Sequence, residues 1–132
     1  MASIFTKIIN REIPAHIVAE NEDYIAFLDI EPLVVGHVLV IPKKEVDYIF
    51  DLDDNTLAGL HVFSKKVANG IDKAIPCLRV GVTVIGLEVP HAHVHLIPMN
   101  SMRDISFSAP KLSVTQEQLA ATAEKIRAAI TD

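Results

Sequence analysis

His91, His93 and His95 alternate with Ala92, Val94 and Leu96 in a run bounded by Pro90 and Pro98. Period-2 alternation with β-branched content predicts one edge strand over Val89–Ile97, so the three imidazoles leave it on one face at roughly 6.5–7 Å intervals. Imidazole titrates near neutrality and serves as nucleophile, acid, base or metal ligand. Sheet packing alone has little use for three in register, because each buried ring needs its own hydrogen-bond partners. Two chemistries fit the spacing. A His-x-His pair can chelate a divalent ion, and a third ligand would give the open site of a metal hydrolase. The run itself carries no carboxylate, and no His-x-His or His-x-x-x-His recurs elsewhere. The second chemistry is covalent catalysis at phosphorus, where a neutral imidazole nitrogen attacks while its neighbours orient it and steady the developing charge.

The elements that must hold this strand follow from hydropathy and punctuation. With 132 residues, half of them hydrophobic, the chain can bury the core of one domain spanning 1–132. Its net charge of −5 supplies no global basic field, so a nucleic-acid partner is not expected. Cys77 is the single cysteine, which excludes an intrachain disulfide or a multi-cysteine metal cluster and fits a reducing, cytoplasmic setting. The N-terminus lacks a signal-peptide pattern. The longest apolar stretch, Leu33–Ile41, is too short to span a membrane.

Ser3 caps a short helix over Ile4–Asn10, and strands His16–Glu20 and Tyr24–Leu28 flank the polar turn Asn21-Glu22-Asp23. Gly36–Ile41 is apolar but for His37 and reads as a strand buried on both faces. Leu57, Leu60, Phe63, Val67 and Ile71 at helical spacing mark a long helix from Asp53 to Ile75, stopped by Pro76. Strands Leu78–Ile85 and Val89–Ile97 come next. Thr115 and Gln118 then form a capping box for a last helix reaching Ile130. The fold class is α+β: an antiparallel sheet of about five strands with one long helix and terminal helices.

At His91–Ile97 the chain resembles the histidine triad (HIT) superfamily, whose signature is His-φ-His-φ-His-φ-φ with φ apolar. The resemblance extends in order through Ile4–Ile9, Glu12–Ala15, Ala26–Ile30 and Gly36–Lys43. It implies a bacterial-type HIT protein of HIT-like fold, whose sheet continues across a homodimer. The implied partner is a purine nucleotide or nucleotide conjugate, cleaved at the α-phosphate as in a phosphoramidate or dinucleoside polyphosphate. It also implies a nucleotidyl-histidine intermediate, no cofactor and no catalytic metal. Position by position, His93 matches the nucleophile, His95 a donor to a phosphate oxygen, His91 the first triad member, and His37 a fourth histidine contacting the triad from the neighbouring strand. Asp29 matches the residue accepting from ribose hydroxyls; read from local chemistry alone, it is a turn-capping carboxylate. Ile4, Phe5, Ile8, Phe27 and Leu39 match the slot for the base, although each taken singly reads as ordinary core.

Several positions depart from that pattern. Gly86-Leu87 stands where many members have Gly-Gln, so an amide that can bond the phosphates is missing. Glu88 follows, where some relatives carry serine; its carboxyl could protonate a leaving group only with a raised pKa, and would repel phosphate when ionised. Ser3, Thr6 and Glu45 occupy positions where some bacterial relatives hold a structural zinc, so none is expected. Arg79, Arg103 and Asn100 are the polar groups left as candidates to reach the phosphate instead. A nucleotide-binding module without turnover remains the alternative from another class.

Overall fold

The computed structural model describes residues 2–130. Helix α1 (Ile4–Ile9) is capped by Ser3, whose hydroxyl accepts from the Thr6 N–H at 3.0 Å. Strands β1 (Ile17–Glu20) and β2 (Tyr24–Leu28) form the expected hairpin. Its turn is held by the Asn21 side chain, which accepts from the N–H groups of Asp23 and Tyr24 at 2.9 and 2.8 Å. After β2 the chain loops through Pro32 and returns as β3 (Val38–Pro42), every residue of which is buried. Gly36, at φ +94°, makes the reversal that delivers His37 to the sheet. The Asp29 N–H closes this loop on the His37 carbonyl at 3.0 Å.

Helix α2 (Asp54–Ala74) begins at an Asp53 cap, and α3 (Gln116–Ala129) at the Thr115–Gln118 capping box. Strands β4 (Arg79–Thr83) and β5 (Val94–Met99) complete an antiparallel sheet of order β1-β2-β3-β5-β4. Alternation divides its side chains between two layers. Ala26, Leu28, Val38, Val40, Val94 and Leu96 pack with Leu60, Phe63, Val67 and Ile71 of α2 and Leu119, Ala123 and Ile126 of α3. Ile25, Phe27, Leu39 and Ile41 pack with Phe5 and Ile8 of α1. His95 is paired with Leu39, so its ring shares the α1 face.

The histidine strand differs from expectation in place and extent. β5 is interior, between β3 and β4, and it starts at Val94, leaving His91 and His93 in the irregular segment that leads into it. The register that pairs Val40 with Val94 would, two residues further on, set Ala92 against Pro42, which has no N–H to donate. The ladder stops there. The Ala92 N–H bonds the Val46 carbonyl in the following loop instead, at 2.7 Å. Among the described residues no helix is long and apolar enough to cross a membrane.

Candidate active site

Because His91 and His93 lie outside the ladder, side-chain bonds must place them. The His91 ring is fully buried and is held at both nitrogens. Nε2 is 2.8 Å from the Pro42 carbonyl, which can only accept, so Nε2 carries the proton. Nδ1 therefore accepts, from the Ser3 hydroxyl at 2.9 Å. The ring bolts the segment to β3 and to α1, which fixes the His91 carbonyl. That carbonyl lies 2.7 Å from His93 Nδ1, so His93 donates through Nδ1. In neutral His93, Nε2 keeps its lone pair. Phe5 braces the ring edge-to-face, with centroids 5.0 Å apart.

A second chain of bonds sets His95. The Leu33 N–H donates to His37 Nδ1 at 3.1 Å, which leaves the His37 proton on Nε2. His37 Nε2 is 3.0 Å from His95 Nδ1, so His95 accepts at Nδ1 and carries its own proton on Nε2. Among the described residues neither His93 Nε2 nor His95 Nε2 has a hydrogen-bond partner, and no buried side-chain nitrogen or oxygen is unpartnered. Both atoms therefore reach open space. Both rings border a cavity of about 210 Å³ whose wall also includes Asp29, Glu31, Glu88, Phe107 and Lys111. A lone pair and an N–H donor thus sit side by side on adjacent rings, 5.0 Å between centroids. That arrangement can attack an electrophile while bonding its oxygen.

A model of the HIT domain matches residues 10–102. The chain belongs to the HIT family. It is 33% identical over 132 residues to an adenosine 5'-monophosphoramidase of Schizosaccharomyces pombe, covering 98% of this chain and 99% of that protein. An uncharacterized HIT-like protein of Methanocaldococcus jannaschii is 40% identical over 99 residues, covering 72% of this chain and 77% of the relative. The crystal structure of a HIT-like protein from Bartonella henselae superposes with a TM-score of 0.84 at 36% identity, covering 96% and 95% of the two chains.

Within this HIT fold the remaining site residues divide. Asp29 Oδ1 accepts from the Glu31 N–H at 2.9 Å, the turn-capping role, while Oδ2 lies 3.8 Å from His37 Nε2 on the cavity wall. Burial pushes its carboxyl pKa up, opposed by that N–H. Glu88 borders the cavity beside Leu87, which is 87% exposed. Phe5, Ile8, Phe27 and Leu39 form the core layer beneath the triad, and Ile4, 50% exposed, lies outside it. None of these five borders the histidine cavity. Arg79, Arg103 and Asn100 are absent from its wall as well; the Asn100 carboxamide accepts instead from the Leu78 N–H at 3.0 Å.

Ser3, Thr6 and Glu45 form a hydrogen-bonded cluster beside His91. Glu45 accepts from the Ser3 N–H at 2.7 Å and from the Thr6 hydroxyl, contacts that hold its carboxyl down at about 2. Ser3 in turn reaches His91. Local sequence patterns read Ser3 as a helix cap but gave no sign of its bond to Glu45, a pairing that spans 42 residues. A metal ion would find its donors elsewhere: ligand atoms of Asp29, His37 and His95 lie within 4.8 Å of one another. Phe107 and Lys111 had no local signal at all, since they belong to an irregular segment before α3.

Burial lowers the pKa of His37 to about 3 and of His95 to about 4, with neighbouring imidazoles and Lys111 acting the same way. Unfolded histidine titrates near 6.5. Between that value and about 4 the unfolded chain binds more protons than the folded one, so stability falls as pH drops through this window. We expect the contribution of these two rings to reach roughly 3–5 kcal/mol by pH 4.5. Urea unfolding from pH 7.5 to 4.5 checks it. The double variant His37→Leu/His95→Leu should flatten the slope, and an equal slope in both proteins would place the acid sensitivity elsewhere.

Proposed function

We propose that this protein is a nucleotide hydrolase that cleaves nucleoside phosphoramidates or similar nucleotide derivatives at the α-phosphate through a covalent His93 intermediate. The observation that carries the reading is the pair of fixed tautomers, a free lone pair at His93 Nε2 and a free N–H at His95 Nε2 beside one cavity. His93 Nε2 attacks phosphorus, the P–N bond breaks, and the amine leaves with a proton taken from solvent or a cavity acid. His95 donates to a non-bridging oxygen as charge builds on it. Water then attacks the nucleotidyl-histidine, releasing a nucleoside monophosphate and restoring the lone pair. Asp29 Oδ2 is the acceptor available to ribose hydroxyls.

The relative in S. pombe bears the name adenosine 5'-monophosphoramidase and aligns with nearly the whole chain, which supports an amine leaving group. So does the wall itself, because Asp29, Glu31 and Glu88 would oppose a polyphosphate more than an amine. The open edge of β4 supports a homodimer: Leu78, Val82 and, from α2, Val62 are exposed at 78%, 54% and 69%.

The test uses adenosine 5'-phosphoramidate. The protein should release AMP, and acid-free quenching during turnover should trap one labelled nucleotidyl group on His93, mapped by mass spectrometry. AMP release that requires zinc and stops with a chelator, without an adduct, would instead favour metal hydrolysis at Asp29, His37 and His95. Nucleotide binding with no release would leave a binding module.

A further inference from the structure

The charge around the histidine cavity is poorly matched to a phosphoryl ligand. Asp29, Glu31 and Glu88 bring three carboxyl groups to its wall and Lys111 brings the single cation, counting the residues that border it. A phosphoryl group adds at least one more negative charge, so whichever cation faces it decides whether it binds.

Lys111 arrives on a strap, residues 106–113, that crosses the site between the 3-10 turn Met102–Ile105 and α3. The strap is pinned on both sides of the lysine. Upstream, the Phe107 ring stands edge-on to His95 at 4.8 Å between centroids and to His37 at 6.2 Å. Downstream, the Leu112 N–H donates to the Pro32 carbonyl at 2.8 Å. The backbone of Lys111 is therefore anchored at its next residue and four residues back, although its side chain is exposed. Its charge is felt at Asp29, His37 and His95 together. Lys111 nevertheless makes no salt bridge or hydrogen bond among the described residues, so its ammonium is available to a ligand.

We infer that Lys111 is the phosphate-binding cation of this site, held over the triad by the strap and facing the phosphoryl oxygens that His95 does not bond. The inference rests on the reading that a phosphoryl group lies between His93 and His95. A compact ammonium on a flexible stem suits this task, because it can follow the phosphoryl group as bonding shifts from the leaving amine to His93.

Calorimetric binding of AMP and of adenosine to the full chain, wild type against Lys111→Met and Lys111→Arg, decides the matter. Lys111→Met should weaken AMP binding by roughly 10-fold or more while leaving adenosine unchanged, and Lys111→Arg should recover most of the loss. Added salt should weaken AMP binding in the wild type more than in Lys111→Met. Equal AMP affinity in wild type and Lys111→Met would overturn the inference, as would an equal loss for adenosine, which would make Lys111 merely structural. Wild type that binds no AMP would overturn the hydrolase reading and this inference together, whereas AMP binding insensitive to Lys111 removes only the latter.

Discussion

Replacing His93 with alanine should abolish the nucleotidyl adduct and lower phosphoramidate turnover by roughly 10⁴-fold or more. The size follows from what the ring alone supplies. His95 carries its proton on Nε2 and accepts at Nδ1 from His37, so it has no lone pair facing the cavity. His91 has both nitrogens bonded, to Pro42 and Ser3. His93 is the one triad member whose unprotonated nitrogen is open, and its Nδ1 bond to the His91 carbonyl keeps it so. Removing the ring leaves a gap against Phe5, which costs about 1–3 kcal/mol of stability. A melting curve and AMP binding would show that the variant is folded with its site retained. Turnover within tenfold of wild type in such a variant would move the nucleophile to another residue.

The extent to which the sequence disclosed this site follows from which forces act locally. Helix caps and hairpin turns were legible because their chemistry is completed within three or four residues: Ser3 to Thr6, Asn21 to Tyr24, Thr115 to Gln118. The triad was legible through its period of two, yet that same pattern overextended the strand. What ends β5 is a missing donor at Pro42, on a different strand, and nothing between Val89 and Ile97 records it. The consequence is functional. A His93 placed inside the ladder would have its position set by the sheet, whereas here it depends on a buried His91 ring, two oxygen partners and a carboxylate 42 residues from Ser3.

The apolar residues Phe5, Ile8, Phe27 and Leu39 teach a related lesson. Their spacing announces burial but cannot say whether they wall a pocket or floor it; in the structure the four pack together, with Phe5 edge-on to His93. Lys111 and Phe107 lie at the opposite extreme. Segment 106–113 has neither periodicity nor a cap, and its place over the imidazoles is fixed by tertiary contacts, Leu112 to Pro32 and Phe107 to His95. Signals of period and capping cannot find residues of that kind.

His37→Leu should lower kcat by roughly 100-fold or more while the protein stays folded. The ring never meets the substrate in this scheme; it acts through His95. With the Leu33 N–H occupying Nδ1, His37 can present only Nε2–H to His95, and that donor forces the His95 proton onto the cavity side. Leucine has a similar volume but no donor. His95 is then free to hold its proton on Nδ1 and turn a lone pair toward the phosphoryl oxygens, which replaces attraction by repulsion as negative charge builds. The Leu33 N–H also loses its acceptor, at a cost of about 1–3 kcal/mol. Stability loss alone cannot explain a fall in kcat measured well below the melting transition. His37→Gln makes the separation sharper, because its carboxamide can accept from Leu33 and donate to His95 with one side chain. It should recover at least part of the lost kcat. A leucine variant as active as wild type, or a glutamine variant no better than leucine despite equal stability, would show that His95 chooses its tautomer without His37.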